Sequence, residues 1–156
     1  MGGKQLNRSI LATALAPAAV AATVMAPAAH ATMLYGNYNV LSNRWTDAAW
    51  IWAAYPCDPG NPGVAGTPIN CVRISAMPSP QRGAYYGGVA NLANGQYSYT
   101  TDVPDGLRCF GQVLPTRDTY TWDANTLAGV VESRFDVGCF NGPPGMNTWT
   151  FALTRM

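Results

Sequence analysis

Carboxylates are the residues of this sequence best suited to chemistry. Two carboxylates on one glycosidic bond can hydrolyse it as an acid and a base, or as an acid and a nucleophile, without any histidine. Asp usually accepts hydrogen bonds from nearby backbone when it lies near a turn or strand end, as Asp102, Asp105, Asp123 and Asp136 are expected to do. The eight acids after residue 31 are Asp47, Asp58, Asp102, Asp105, Asp118, Asp123, Glu132 and Asp136.

Histidine and lysine occur once each, as His30 and Lys4, and both lie in the first 31 residues. A chain without that segment has no Ser-His-Asp or Cys-His catalysis, no histidine-bound metal and no Schiff-base lysine. Its serines then have no base to activate them. The sequence therefore predicts a protein that is not an enzyme and needs no cofactor or metal, with a carboxylate-dependent glycoside hydrolase as a remaining alternative.

The first 31 residues have the pattern of a secretory signal peptide. Lys4 and Arg8 precede an apolar stretch, and Ala29-His30-Ala31 matches the small-x-small cleavage rule. We expect cleavage after Ala31, which leaves residues 32–156 as a single domain without a membrane span. The predicted location is secreted, either extracellular or associated with the cell wall.

Net charge argues against two classes of partner. The whole chain has a formal net charge of +1, and the seven arginines and eight acids after residue 31 give −1. Proteins that bind nucleic acid, or adsorb to anionic membranes by charge, carry a clear excess of Lys and Arg. Neither partner is expected here.

Four cysteines follow the leader: Cys57, Cys71, Cys109 and Cys139. An even number in an exported chain indicates two disulfides, for which three pairings exist. Cys57–Cys71 with Cys109–Cys139 is favoured, because the segment between Cys57 and Cys71 is rich in Pro and Gly and has little regular structure of its own. A four-thiolate zinc site would use closely spaced cysteine pairs, which are absent.

The apolar residues alternate with a period of two, which indicates an all-β domain. About eight strands with short connections predict an antiparallel barrel, with a two-sheet β-sandwich as the alternative. A closed barrel removes edge strands, which this chain has few charges to protect. The predicted strands are Leu34 to Leu41, Ala48 to Tyr55, Cys71 to Ala76, Ala84 to Ala93, Gln96 to Asp102, Thr119 to Asp123, Leu127 to Val137 and Asn147 to Arg155.

Two short segments carry strong turn signals. Asn94-Gly95 is the residue pair that a two-residue type I′ hairpin prefers, so it predicts a hairpin between the fourth and fifth strands. Pro104-Asp105-Gly106 predicts a second turn, after the fifth strand.

Large aromatic residues recur at every second position, as inward-facing strand residues do. An interior of eight strands is only just wide enough for side chains, so a filled core is expected. The alternative is a ligand cavity, with small residues such as Gly87, Gly88, Ala90 and Gly129 leaving room. The spaced pairs are Trp50 and Trp52, Tyr97 and Tyr99, Tyr120 and Trp122, and Trp149 and Phe151.

A polar and aromatic cluster follows the leader and is a candidate recognition edge. Its members are Tyr38, Asn39, Arg44 and Trp45. Trp, Tyr and Arg are the side chains that most often dominate binding surfaces. The same residues are also ordinary at a strand end and turn.

Several short segments stand out in the last third of the chain: Asp105-Gly106 to Cys109, Leu114-Pro115-Thr116, Tyr120-Thr121-Trp122-Asp123, Leu127-Ala128-Gly129, Cys139 and Trp149 to Thr154. In these segments the chain resembles small secreted β-rich proteins of mycobacteria and related actinobacteria. The resemblance implies export and a Gram-positive cell-envelope setting, and it assigns no catalytic or binding residue.

Together these features predict a secreted, non-enzymatic barrel that acts as a binding or cell-envelope interaction module, and is expected to be a monomer. Its partner would be a protein or another component of the cell surface. The alternative is a calycin-like carrier of a small apolar ligand.

Overall fold

The computed structural model describes residues 33–44, 49–58, 60, 69–79 and 83–156. The predicted leader, Met1 to Ala31, lies outside the described residues, so its cleavage stays a prediction. No helix in the described ranges is long and apolar enough to cross a membrane.

Alternating apolar residues form eight β-strands in the described part of the chain, together with one short 3-10 helix, η1, at Cys139–Asn141. The strands are β1 Gly36–Ser42, β2 Ala49–Pro56, β3 Cys71–Ser79, β4 Tyr86–Ala93, β5 Gln96–Cys109, β6 Gln112–Asp123, β7 Ala128–Phe135 and β8 Gly145–Arg155.

These strands form a closed barrel in which each strand pairs with its neighbours in sequence. All the pairings are antiparallel, and β8 returns to pair with β1, with Val40 opposite Leu153. The predicted eight-stranded antiparallel barrel is therefore confirmed, and the chain does not form a sandwich. Closure leaves no sheet edge open to another strand.

The Asn94-Gly95 hairpin is confirmed. Both residues have positive φ, 52° and 78°, as a type I′ turn requires, and Ala93 pairs with Gln96 across it.

The segment Pro104–Gly106, predicted as a turn, lies inside β5 instead. Pairing with β6 continues on both sides, and the register shifts between Val103 and Leu107, which marks a bulge. The chain reverses later, at Phe110 and Gly111. The turn prediction is wrong because proline and glycine are also the residues that mark bulges within a strand.

Both favoured disulfides are confirmed. Cys57 bonds to Cys71, and Cys109 bonds to Cys139, with Cα–Cα distances of 5.8 and 5.6 Å.

The antiparallel order places the connections alternately at two ends of the barrel. We call the end with the β1–β2, β3–β4, β5–β6 and β7–β8 connections the mouth, and the opposite end the base. At the base, Met33 is buried in the core, and the Tyr97 hydroxyl donates to the carbonyl of Ile69 at 2.5 Å. At the mouth, the Cys109–Cys139 disulfide joins the end of β5 to the β7–β8 connection.

Aromatic side chains fill the middle of the barrel. The ring centroid of Trp52 lies 5.3–5.8 Å from those of Tyr99, Tyr120, Trp122 and Phe151, mostly in edge-to-face contacts. Such contacts are favourable beyond the burial of apolar area. The paired aromatic residues of the sequence are all buried except Trp149, which is partly buried.

Two of the small inward residues make room for these rings. A Cβ atom on Gly88 would lie 2.6 Å from Tyr99 Cδ2. One on Gly129 would lie 2.6 Å from Trp122 Cβ and 2.9 Å from Phe151 Cζ. The space that these glycines leave is therefore taken by aromatic side chains, and the middle of the barrel is a packed core.

Candidate ligand-binding site at the mouth of the barrel

Arg44 follows β1 in the β1–β2 connection, and its side chain turns into the barrel, where it is 3% exposed. The guanidinium forms an ion pair with Asp118 of β6, whose side chain is completely buried. An isolated charge is costly to remove from water, so a buried charge is normally paired and hydrogen-bonded. The pair therefore links the β1–β2 connection to the opposite wall of the barrel.

The Asp118 carboxylate also accepts hydrogen bonds from three hydroxyl groups. Oδ1 accepts from Thr116 Oγ1 at 2.7 Å and from Ser133 Oγ at 2.5 Å, and Oδ2 accepts from the Tyr120 hydroxyl at 3.2 Å. Thr116, Asp118 and Tyr120 share the inner face of β6, because alternate strand residues point the same way. Both carboxylate oxygens are thus fully engaged.

The Arg44 guanidinium has further partners on three other strands. Nη2 donates to the carbonyl of Gly106 at 2.8 Å, within the β5 bulge, and to Ser133 Oγ of β7 at 2.9 Å. The group also stacks over the ring of Trp149 in β8, with Cζ 4.7 Å from the ring centroid. Arg44 therefore binds to the inside of the barrel wall from β5 to β8.

A cavity of about 190 Å³ lies beside the guanidinium, at the mouth. We call it the mouth cavity. Its wall is mainly apolar, and Arg44, Ser42 and two tyrosines supply its polar atoms. The aromatic and aliphatic part of the lining includes Val40, Trp50, Tyr86, Tyr120, Val131 and Phe151.

Three tyrosine rings stack along one side of this region. Tyr120 lies between Tyr86 and Tyr99, with centroid distances of 5.7 and 5.1 Å and nearly parallel planes. Burial raises the pKa of Tyr86 to about 12, and it raises the pKa values of Tyr99 and Tyr120 well above 10.0. These hydroxyls are therefore protonated at neutral pH, and the wall of the mouth cavity includes two of them, on Tyr86 and Tyr120, as uncharged groups.

No family model, curated protein or solved structure matches the chain. Its function is therefore inferred from the residues themselves and from their geometry.

The structure separates the members of the predicted recognition cluster. Tyr38 is buried near the start of β1, where its hydroxyl donates to the Leu34 carbonyl, and Asn39 is exposed. Arg44 lies at the other end of β1, inside the mouth. Trp45 lies outside the described residues.

Nothing in the sequence distinguished Asp118 from the other acids as a site residue. The inward pattern of Tyr120 and Trp122, continued towards the start of the strand in steps of two, places Asp118 and Thr116 on the same inner face. A carboxylate at an inward position of a strand was therefore the feature of the sequence that could have identified Asp118 as a site residue. What the sequence lacked was any indication that Arg44, 74 residues away, would be its partner.

The other acids with described partners are held by nearby arginines or by backbone. Glu132 pairs with Arg134 at 3.7 Å on the outer face of β7. The Asp123 carboxylate accepts from the backbone N–H groups of residues 125 and 126, which lowers its pKa. In the part of the chain that the structure describes, no three His, Cys, Asp or Glu side chains group as metal ligands do.

Two further aspartates form ion pairs with arginines. Asp102 and Arg117 form an exposed ion pair at 3.3 Å. Asp105 lies in the β5 bulge, pairs with Arg108 at 3.4 Å and accepts from the backbone N–H of Ala84 at 3.2 Å. These carboxylates hold local structure.

Proposed function

We propose that this protein is a non-enzymatic binding protein that holds a small, largely apolar ligand in the mouth cavity. The observation that carries the proposal is the cavity itself, at one end of a barrel whose middle is packed. Its wall combines aromatic and aliphatic side chains with a few polar atoms fixed by hydrogen bonds. That combination is typical of small-molecule sites.

The volume of the mouth cavity limits the size of the ligand. An engineered apolar cavity of ~150 Å³ binds benzene, whereas pockets for drug-sized molecules measure roughly 300–1,000 Å³. At about 190 Å³, the mouth cavity suits a single substituted ring. Four aromatic residues in its wall, Trp50, Tyr86, Tyr120 and Phe151, favour a ligand that is itself aromatic.

Residue chemistry supports binding over catalysis. The chain after residue 31 has no histidine and no lysine to transfer protons near neutral pH. The Asp118 carboxylate, which contacts the wall residues Arg44 and Tyr120, already accepts from Arg44 and three hydroxyls.

Two adjacent valines allow a matched test. Val131 is 2% exposed and lines the mouth cavity, whereas Val130 is 40% exposed and points outward. Val131→Phe should fill part of the cavity and weaken benzyl alcohol binding by about tenfold or more, a loss of at least ~1.4 kcal/mol. Val130→Phe should leave binding unchanged. Protein-observed NMR titration measures both, and a wild-type protein that binds none of benzene, toluene and benzyl alcohol overturns the proposal.

Export is part of the same proposal. Two disulfides favour an oxidising compartment, and the leader pattern and the resemblance to exported mycobacterial and other actinobacterial proteins support release outside the cell or to the cell wall. The intact mass of protein recovered from the culture medium tests this. It should correspond to cleavage after Ala31 with four oxidised cysteines.

A protein or other cell-surface partner is the second candidate function, favoured by two exposed phenylalanines at the mouth. Phe110 and Phe140 each directly follow one cysteine of the Cys109–Cys139 disulfide, and they are 94% and 75% exposed. Phe140 also has a left-handed backbone, with φ of 57°. Such conformations are uncommon for residues other than glycine and often mark functional segments.

Binding of labelled protein to intact cells of the source organism tests this candidate. Phe110→Ala/Phe140→Ala should reduce cell binding at least about fivefold, because exposed aromatics often dominate an interface. Leu34→Ala/Met156→Ala removes exposed apolar side chains near the base and is the control. Equal cell binding by the two variants contradicts a role for the phenylalanines.

A further inference from the structure

We propose that Asp118, acting through Arg44, makes the mouth cavity selective for uncharged aromatic ligands over both carboxylates and amines. This inference rests on the proposed function and names the chemical class of the ligand. A cavity edged by an arginine would by itself suggest an anionic ligand. The ion pair reverses that expectation.

The positive charge at the cavity wall is already matched. Arg44 and Asp118 are in direct contact and both are buried, so their charges compensate each other inside the barrel. The three hydroxyls on Asp118 and the Gly106 carbonyl on Arg44 occupy much of the remaining hydrogen-bonding capacity of the two groups. A ligand therefore meets polar groups whose charges compensate each other and whose positions are fixed by hydrogen bonds.

A carboxylate in the cavity would add a second anion beside one shared cation. Removing a carboxylate from water costs free energy. That cost is recovered only through a nearby cation whose charge is not already neutralised. Arg108, the other described arginine near this wall, lies 5.9 Å from the Trp50 ring centroid and pairs with Asp105. The cost of burying the ligand carboxylate is therefore not recovered.

An amine is disfavoured for the same reason. The Asp118 carboxylate is already matched by Arg44, and Asp118 is not part of the cavity lining. The cost of removing a ligand ammonium group from water is therefore not recovered either. An uncharged hydroxyl meets neither penalty, and the Tyr86 hydroxyl of the wall can hydrogen-bond with it.

Three probes of nearly equal size and different charge test this selectivity. We expect the wild-type protein to bind benzyl alcohol at least about tenfold more tightly than benzoate or benzylamine at neutral pH, because the buried site does not compensate a ligand charge. Benzoate binding as tight as that of benzyl alcohol overturns the inference while leaving the proposed function intact. Failure of all three probes to bind overturns the proposed function itself.

Two variants assign the selectivity to the ion pair. Asp118→Asn leaves Arg44 without its counter-charge and should improve benzoate binding relative to benzyl alcohol by about tenfold. Arg44→Gln leaves Asp118 uncompensated and should improve benzylamine binding relative to benzyl alcohol. If the pair were only structural, each variant would weaken the three probes in parallel, and that result overturns the role of Asp118.

The exposed Asp102→Asn is the matched control, because it also removes one carboxylate charge but lies in an exposed ion pair. It should leave all three affinities unchanged. Circular dichroism establishes which variants fold. If neither variant of the buried pair folds, the wild-type ratios of the three probes still decide whether the cavity selects uncharged ligands.

Discussion

At the scale of single residues, Arg44 and Asp118 form a buried ion pair, and removing charged groups from water costs free energy. Each group would be costly to bury alone, and each is tolerated because the other lies against it, while hydroxyls and a carbonyl form further hydrogen bonds with the pair. The pair also joins the β1–β2 connection to β6. Its contribution to stability can be separated from its role in ligand selectivity.

Arg44→Met should lower the free energy of unfolding by about 3–5 kcal/mol, because it leaves the Asp118 carboxylate buried without a counter-charge. Urea denaturation monitored by circular dichroism measures the loss. Arg117→Met removes an arginine from an exposed pair and should change stability by less than ~1 kcal/mol. The double variant Arg44→Met/Asp118→Leu should recover much of the loss, because apolar replacements of a buried pair are often tolerated. A loss below ~1 kcal/mol for Arg44→Met would falsify this account of the pair.

At the scale of secondary-structure elements, the β5 bulge connects the β5–β6 hairpin to the mouth cavity. This hairpin is the longest in the described chain. The bulge presents the Gly106 carbonyl to Arg44 and places the α-carbon of Gly106 against Thr116 of β6. A Cβ atom at Gly106 would lie 1.7 Å from Thr116 Oγ1 and 2.8 Å from Thr116 Cβ. Glycine at this position is therefore required by close packing between strands.

Gly106→Ala should lower the free energy of unfolding by about 1–3 kcal/mol, the usual cost of inserting a group into a packed site. It should also weaken benzyl alcohol binding, because Thr116 and Arg44 must both shift. Thermal denaturation and the NMR titration measure the two effects. Gly95→Asn is the comparison, since that glycine is a left-handed turn residue with no atom within 4 Å of its Cβ position. Equal stability losses in the two variants would contradict the packing argument.

At the scale of the whole molecule, the filled aromatic interior makes the free energy of unfolding depend on pH in the alkaline range. Among the described residues, burial is the main cause of raised pKa values for five tyrosines, namely Tyr38, Tyr86, Tyr97, Tyr99 and Tyr120. In the unfolded chain the same groups regain the ordinary value of 10.0. Above that pH the unfolded state binds fewer protons than the folded state, so stability falls as pH rises.

We therefore expect the tyrosine contribution to be fully present below about pH 10 and to be lost as pH rises through about 12, the raised pKa of Tyr86 and Tyr97. Each such group should lower the unfolding free energy by up to ~1.4 kcal/mol per pH unit in that window. Urea denaturation at a series of alkaline pH values measures the slope, and phenolate absorbance should rise together with unfolding. Constant stability across the window would rule out this linkage.

The sequence alone determined the parts of this protein that depend on local patterns. Alternation along each strand predicted the antiparallel barrel and the inward aromatic residues, because side-chain direction in a strand repeats every two residues. Asn94-Gly95 predicted its hairpin because few other pairs adopt two positive φ angles. The loop composition between Cys57 and Cys71 favoured the disulfide pairing that the structure has.

Only the tertiary structure decided how residues far apart in the chain meet. Arg44 was a candidate from its type and place, but its pairing with Asp118 depends on closure of the barrel, which brings the β1–β2 connection against β6. Whether glycines such as Gly88 left a cavity or a place for a ring depended on Tyr99 of the neighbouring strand. Pro104–Gly106 has the local preferences of a turn, yet the ladder on both sides of it holds the segment as a bulge. Contacts between strands, which local patterns do not encode, outweighed local preference at these positions.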